Sequence, residues 1–281
     1  MTLVEIPSGI HLAYDLDGPA DAQVIVFLHG QGYHRNVFKP YFDHYKTKYR
    51  VLSYDLRGHG ESDIPRGESE DENRALYTME RMAQDLDELL DAVGLGHEAV
   101  VLCGHSLGGY ILFSYYFQFK DKVKALIPMG TAAGFEESEQ NGFRTFVDGF
   151  KNEIDNADAG LSLYDGFIRG LYTKKYSKEH KAELETAISW GRMASLAAIT
   201  YCTDSYGCGA YDFRDRLDQI DVPVLVVHGD KDGTVSVQHA IEMQEKIPNC
   251  TAAIIENGGH LALQENEAEV LAAMDTFLEM I

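Results

Sequence analysis

A serine between two glycines is the feature of this chain with the clearest chemical potential. Residues 104–108 have the sequence Gly-His-Ser-Leu-Gly and lie between the apolar runs Ala99–Cys103 and Tyr110–Phe113. A serine at such a strand-to-helix corner is typical of a nucleophile elbow. Glycine fits two residues on either side because other side chains would collide there. The pattern predicts Ser106 as a nucleophile, although a turn whose serine caps a helix is the plainer alternative.

His260 is the histidine best placed to act as the base for this serine. A serine hydroxyl needs a neighbouring base to take its proton, and a carboxylate usually orients that base. His260 follows the last predicted strand in the tight loop 257–260, Asn-Gly-Gly-His. A loop histidine without a role is the alternative.

Two aspartates compete for the position of the acid. Asp230 and Asp232 both lie in the loop after the penultimate predicted strand, in the order serine, acid, histidine. Asp230 is nearer the strand end, where it could stabilise the turn, whereas Asp232 lies further into the loop and could reach the histidine. We therefore prefer Asp232.

Acyl chemistry also needs donors for the negative oxygen of a tetrahedral intermediate. The amide of Leu107, directly after the serine, lies at the start of a predicted helix and can supply one. The second donor is predicted in residues 29–32, His-Gly-Gln-Gly, where flanking glycines let the amide of Gln31 approach a substrate. An ordinary strand-to-helix turn would also use glycine.

Short apolar runs alternate with helical patterns, which is typical of a mostly parallel sheet covered by helices. The predicted strands are Leu3–Ile6, Ile10–Leu16, Val24–Leu28, Arg50–Tyr54, Ala99–Cys103, Val123–Pro128, Val222–Val227 and Thr251–Ile255. Amphipathic periodicity predicts a helix over Thr78–Val93 that stops at Gly94, and another helix over Glu265–Met280. The predicted fold class is α/β, with an eight-stranded sheet flanked by helices.

Residues 131–215 interrupt this alternation with a helix-rich and aromatic stretch. We predict that they form a helical cap inserted into a core made of residues 1–130 and 216–281. Such an insertion roofs the crevice where open α/β sheets bind ligands, so some of its aromatic side chains should face the serine.

The chain of 281 residues carries a net charge of −21, which disfavours nucleic acid, anionic lipid and strongly anionic substrates. No apolar stretch approaches the roughly 20 residues of a membrane-spanning helix. Residues 1–7 lack the pattern of a signal peptide, and the four cysteines have no framework spacing. We expect a cytoplasmic protein that binds neither nucleic acid nor membrane, as a monomer or homodimer.

Taken together, these motifs resemble the α/β-hydrolase superfamily, in its serine-nucleophile, esterase- and lactonase-like subgroup with a helical cap. The segments that carry the resemblance are 29–32, 55–62, 104–108, 228–232 and 258–260. The resemblance implies Ser106 as nucleophile, Asp232 as acid and His260 as base. It also implies an oxyanion hole formed by the amides of Gln31 and Leu107, and no metal or organic cofactor.

Two further features resemble supporting parts of that family. Residues 55–62 are similar to its structural loop after the fourth strand, so we expect a turn held by Asp55 and Arg57. His105, beside the predicted nucleophile, should point away from the reaction and support a loop.

The nucleophile and the predicted oxyanion turn narrow the range of activities that the resemblance implies. Epoxide hydrolases and haloalkane dehalogenases have aspartate where this chain has Ser106, and proline iminopeptidases have a glycine–glycine–proline turn that is absent here. We expect a hydrolase of small, largely uncharged esters or lactones acting through an acyl-enzyme. The alternatives are a small-molecule receptor on the same fold, and an acyltransferase or perhydrolase with the same three residues.

Overall fold

One mostly parallel β-sheet positions the loops that carry the predicted site residues. The computed structural model of the chain describes residues 2–151, 157–208 and 211–281. Its strands are β1 (Thr2–Glu5), β2 (His11–Asp17), β3 (Val24–Leu28), β4 (Arg50–Tyr54), β5 (Val100–His105), β6 (Val123–Met129), β7 (Val224–Gly229) and β8 (Cys250–Ile255). Every predicted strand is present, with its ends within two residues of the prediction.

The strand order across the sheet is β1-β2-β4-β3-β5-β6-β7-β8. β2 runs antiparallel to both of its neighbours, and the remaining pairs are parallel. This confirms the predicted fold class. Because β3 to β8 are parallel, their carboxyl ends and the loops that follow lie along one edge of the sheet.

Helices connect and cover these strands. They are α1 (Lys39–Tyr45), α2 (Glu70–Leu76), α3 (Met79–Ala92), α4 (Leu107–Gln118), α5 (Glu137–Lys151), α6 (Ala157–Gly170), α7 (Lys174–Glu179), α8 (Lys181–Gly191), α9 (Leu196–Gly207), α10 (Val237–Lys246), α11 (Ala262–Glu265) and α12 (Glu267–Leu278). The helix predicted over Thr78–Val93 is α3, whose first turn is capped by the Thr78 side chain. The helix predicted over Glu265–Met280 is α12, Glu267–Leu278, and the residue before it, Asn266, leaves the helical conformation (φ −132°, ψ 44°) and separates α11 from α12.

The side chains of β3 alternate between two apolar layers, which shows how the sheet is buried. Val26 and Leu28 pack in the layer that contains α3 and α4, whereas Ile25 and Phe27 pack in the layer that contains α1 and α12. Burial on both faces explains why this strand is apolar along its whole length.

Helices α5 to α9 lie between β6 and β7, in the stretch predicted as a cap. Helix α9 packs against α5 and also contacts α2 and α3. Residues 152–156 and 209–210 of this stretch lie outside the described residues, and its division from the core stays a prediction. None of the described helices is long and apolar enough to cross a bilayer.

Candidate active site

Ser106 lies at the sharp turn between β5 and α4. Its φ of 49° and ψ of −111° lie in a region that residues other than glycine seldom adopt. The Ser106 amide donates to the carbonyl of Met129 in β6 at 2.9 Å, which holds the turn against the sheet. A Cβ on Gly104 would overlap the backbone of Gly108, and a Cβ on Gly108 would overlap the carbonyl oxygen of Leu28. The packing therefore requires both glycines of the predicted elbow.

The loops after β7 and β8 bring Asp232 and His260 together. The His260 Nδ1 and Asp232 Oδ2 atoms lie 2.8 Å apart, and both side chains are buried. The other Asp232 oxygen accepts hydrogen bonds of 2.8 and 2.9 Å from two backbone amides of its own loop. Asp230 instead contacts the ammonium of Lys231 at 3.1 Å. The structure thus places Asp232, and not Asp230, against the predicted base.

His228 is a second ring beside this carboxylate, and sequence reasoning missed it. Its Nε2 atom lies 3.3 Å from Asp232 Oδ2 and donates to the carbonyl of Val235 at 2.9 Å. Burial alone would raise the pKa of the Asp232 carboxyl, but the charge of His260 and the hydrogen bonds from both rings hold that pKa well below its usual range. Asp232 is therefore a carboxylate at neutral pH. The only signal in the sequence was that His228 begins the same loop.

Ser106 and His260 line one pocket. Among the described contacts, no hydrogen bond joins the Ser106 hydroxyl to the His260 ring. Catalytic hydrogen bonds of this kind are often loose before a substrate is bound. The arrangement brings the predicted nucleophile, base and acid to one edge of the sheet, and their roles stay predictions.

His29 anchors the loop predicted to bind the oxyanion. Its Nε2 atom accepts from the Leu56 amide at 3.0 Å, so its Nδ1 atom is the one that donates to the Gly30 carbonyl at 2.7 Å. Burial lowers the pKa of this ring well below its usual value and keeps it neutral. Within the described residues, the amides of Gln31 and Leu107 have no protein acceptor, which leaves both free to bind a substrate oxygen.

The Gln31 side chain is held by helix α9. Its Oε1 atom lies 3.1 Å from the Thr203 hydroxyl and 3.2 Å from the Tyr206 hydroxyl. Its Nε2 atom is buried and has no partner in the described part of the chain. Sequence reasoning had no means of finding Thr203 and Tyr206, because 172 and 175 residues separate them from Gln31.

A cavity of about 310 Å³ opens above Ser106. Its walls are mainly aromatic, and the aromatic side chains drawn from the predicted cap are Phe135, Phe143, Phe146, Phe167 and Tyr206. One carboxylate, Glu139, also lines the cavity and contacts the His239 ring at 2.8 Å. The volume lies at the small end of ligand pockets, which are usually about 300–1,000 Å³.

The turn expected from Asp55 and Arg57 is built differently. Asp55 does hold the turn, because its carboxylate accepts hydrogen bonds from the Glu61 amide at 3.0 Å and from the Arg35 guanidinium. Arg57 instead forms a two-pronged ion pair with Asp85 of α3. That carboxylate is buried and needs a charged donor, so Arg57 joins the loop to α3.

One group in the described residues could hold a metal ion: His34, Asp55 and Glu61. The guanidinium of Arg35 already binds both of its carboxylates. A cation would have to displace that guanidinium, so we assign the group a structural role beside the loop predicted to bind the oxyanion.

His105 supports the loop of the predicted base. Its Nε2 atom donates to the backbone carbonyl of His260 at 2.9 Å. Burial, together with the neighbouring His260, lowers the pKa of the His105 ring to about 3. A neutral ring that holds a backbone atom fits the supporting position expected of it.

Comparisons with known proteins agree with this architecture. A family model described as "alpha/beta hydrolase fold" matches residues 23–267. Curated relatives include proline iminopeptidase PfmaB of Pestalotiopsis fici, 26% identical over 98% of each chain. They also include 3-oxoadipate enol-lactonase 1 of Acinetobacter baylyi, 24% identical over 97% of this chain and 95% of that protein.

Solved structures share the fold over nearly the full length. A thermophilic esterase from Thermogutta terrifontis has a TM-score of 0.85 at 24% identity, covering 100% of this chain and 99% of its own. The enol-lactonase from Burkholderia xenovorans LB400 has a TM-score of 0.86 at 21% identity, covering 99% of this chain and 100% of its own. These four proteins are an iminopeptidase, an esterase and two enol-lactonases, and their names describe their own activities.

Proposed function

The chain belongs to the alpha/beta hydrolase fold family, and we propose that it is a serine hydrolase that cleaves a small carboxylic ester or lactone through an acyl-enzyme intermediate. The observation that carries the proposal is the 2.8 Å contact between Asp232 and His260, beside the pocket that Ser106 shares with that histidine. A buried carboxylate, an oriented imidazole and a serine on a strained elbow are the parts that acyl transfer requires.

In the first half of the reaction Ser106 Oγ attacks the substrate carbonyl carbon while His260 Nε2 takes the serine proton. Asp232 fixes the ring with its proton on Nδ1 and stabilises the imidazolium. The carbonyl oxygen becomes negative and receives hydrogen bonds from the amides of Gln31 and Leu107. The bond to the leaving alcohol then breaks, and His260 gives its proton to that oxygen.

In the second half, water replaces the alcohol. His260 takes a proton from the water as the resulting hydroxide attacks the acyl carbon. The second tetrahedral intermediate collapses, the proton returns to Ser106 Oγ, and the carboxylic acid leaves. No metal or organic cofactor takes part in this sequence.

The size and the aromatic walls of the cavity support a substrate whose acyl group is small and apolar. The cavity volume of about 310 Å³ leaves room for a short chain, and aromatic walls favour burial of apolar surface. The names of the similar proteins support esters and lactones as the substrate class, since an esterase and two enol-lactonases are among them.

The test is hydrolysis of 4-nitrophenyl esters of graded acyl length, together with labelling by a fluorophosphonate. Ser106→Ala should abolish both, because the nucleophile is removed. Ser189→Ala, at an exposed position on α8, is the matched control and should retain both. Labelling that persists in Ser106→Ala would exclude Ser106 as the nucleophile.

The same assay separates the proposal from its rivals. Steady release of nitrophenol indicates an enzyme, whereas a single stoichiometric burst indicates a small-molecule receptor. Added alcohol or hydrogen peroxide that diverts the acyl group to a new ester or peracid indicates an acyltransferase or perhydrolase.

We also propose a cytoplasmic protein, present as a monomer or homodimer. Its four cysteines are all unpaired, which supports a reducing compartment. Fractionation of the source cells and light scattering of the purified chain test these two statements.

A further inference from the structure

A second cleft also borders His260. Its volume is about 660 Å³, and it shares His260 and Leu171 with the aromatic cavity. The predicted base therefore lies at the junction of two spaces of different character. One is mainly aromatic, and the other has three lysines among its lining residues.

Three lysines line this second cleft: Lys174, Lys175 and Lys231. No carboxylate of the described residues lines it with them. Within the described chain, Lys174 and Lys175 form no ion pair, whereas Lys231 contacts the neighbouring Asp230 at 3.1 Å. Two lysines without an ion pair, lying with a third along one cleft, favour an anionic over a cationic ligand there, although the chain has a net charge of −21.

The backbone that carries two of these lysines is tied to the core. The Tyr172 hydroxyl donates to Gln264 at 2.6 Å, and the Thr173 amide donates to Glu265 at 3.0 Å. The Thr173 hydroxyl binds the second oxygen of the same carboxylate. Because these bonds engage both oxygens of Glu265, the carboxylate holds the loop in place. Lys174 is the residue directly after the anchored Thr173.

The reaction itself decides which part of a substrate meets this cleft. As the acyl–oxygen or acyl–sulfur bond breaks, the electron pair stays with the leaving atom, and His260 Nε2 must protonate that atom. The leaving group therefore departs beside His260, while the acyl group stays attached to Ser106. A cleft bordered by His260 is thus placed for the leaving group, and the aromatic cavity for the acyl group.

Resting on the proposed function, we propose that the preferred substrates are open-chain esters or thioesters whose leaving group carries a carboxylate or phosphate, bound in the cleft of Lys174, Lys175 and Lys231. The acyl group is short and apolar. This local site opposes the general expectation that a strongly acidic protein rejects anionic substrates.

The test uses thioesters with one acyl group and leaving thiols of different charge. S-butyryl-3-mercaptopropionate carries a carboxylate, S-butyryl-2-mercaptoethyl phosphate carries a phosphate, S-butyryl-2-mercaptoethanol is neutral and butyrylthiocholine is cationic. A chromogenic disulfide reports the released thiol. We expect kcat/KM to be about tenfold higher for the anionic than for the neutral thioester at low salt, since screening weakens exposed charges. The carboxylate and phosphate arms identify which anion is preferred.

Charge reversal then locates the effect. In Lys174→Glu/Lys175→Glu, the ratio of kcat/KM between the anionic and neutral thioesters should fall about tenfold. The matched control is Lys178→Glu/Lys181→Glu, with the same change in net charge at exposed positions that do not line the cleft. Its ratio should stay within about twofold of the wild type. If the reversed variant does not fold, Lys174→Ala/Lys175→Ala should lower the ratio about threefold.

The results that would overturn the anion site differ from those that would overturn the proposed function. Ser106-dependent turnover with no preference for anionic leaving groups, or an equal loss in the cleft variant and its control, overturns the anion site alone. Absence of any Ser106-dependent turnover overturns the proposed function and the anion site together.

Discussion

The Tyr206 hydroxyl of helix α9 lies 3.2 Å from the side-chain oxygen of Gln31, in the loop after β3. The Thr203 hydroxyl, one turn earlier on the same helix, lies 3.1 Å from the same oxygen. Helix α9 therefore determines where the predicted oxyanion loop sits, although it contributes neither nucleophile nor base.

Removing both hydroxyls should slow the reaction without weakening substrate binding. In Thr203→Val/Tyr206→Phe, the Gln31 loop loses its contacts to α9 and its amide is less well aimed at the oxyanion. Because that oxyanion exists only in the transition state, we expect kcat to fall about five- to tenfold and KM to change less than about twofold. Steady-state kinetics on one nitrophenyl ester measure both.

The control for this variant is Thr200→Val/Tyr201→Phe on the same helix. Thr200 is buried and bonds to a carbonyl of its own helix, as Thr203 also does, but it does not contact Gln31. An equal fall in kcat in the control would contradict a specific effect on the oxyanion loop.

The two aspartates of the loop after β7 should differ sharply in effect. Asp232→Asn removes the carboxylate that orients His260, so kcat should fall about 10³- to 10⁴-fold. Asp230→Asn, two residues away and paired with Lys231, should change kcat less than about fivefold. The reverse order of effects would transfer the role of acid to Asp230.

Three buried histidines should make folding stability depend on pH. Burial lowers the pKa of His59 to about 4 and, with His260, that of His105 to about 3, and it holds the pKa of His29 well below its usual value. The unfolded chain, with imidazole pKa values near 6.5, then binds more protons than the folded chain. The free energy of unfolding should rise with pH between about 4 and 6.5 and level off above.

Denaturant unfolding at several pH values measures how steeply the free energy of unfolding changes with pH. Near pH 5 these three rings should correspond to about three protons taken up on unfolding. His59→Leu should lower that number by about one, whereas His97→Gln, at an exposed position, is the surface control. An unchanged slope in His59→Leu would show that this ring is protonated inside the fold.

The elbow glycine should tolerate no side chain. In Gly108→Ala the new methyl group would overlap the carbonyl oxygen of Leu28, so we expect inactivation and a loss of more than about 2 kcal/mol in the free energy of unfolding. Gly149→Ala is the opposite case, since this helical position in α5 has open space around its Cβ. It should stabilise the protein by about 0.5–1 kcal/mol. Thermal unfolding of both variants, with an ester assay, measures these effects.

Local patterns in the sequence were enough to predict the strands, the fold class and the segments that carry the candidate site. Continuous apolar runs such as Val24–Leu28 are local in the chain, because burial on both faces of a sheet acts on every residue of the strand. The pattern of glycines around Ser106 is local as well, since it spans five residues, although the contact that requires Gly108 is with Leu28 in β3. The short helix α11, which Asn266 separates from α12, was not predicted, because four residues are too few to show an apolar periodicity.

Only the tertiary structure decided which of two neighbouring aspartates meets His260, and that His228 lies beside the same carboxylate. It also decided that Arg57 binds Asp85 instead of closing the Asp55 turn, and that Gln31 is held from α9. Apart from the pair of His228 and Asp232, which lie four residues apart, each of these contacts joins loops or helices whose separation in the chain carries no periodic signal. The cleft beside His260 that is lined by three lysines belongs to the same class. Net charge is a property of the composition, whereas the potential at a site depends on which side chains the fold gathers there.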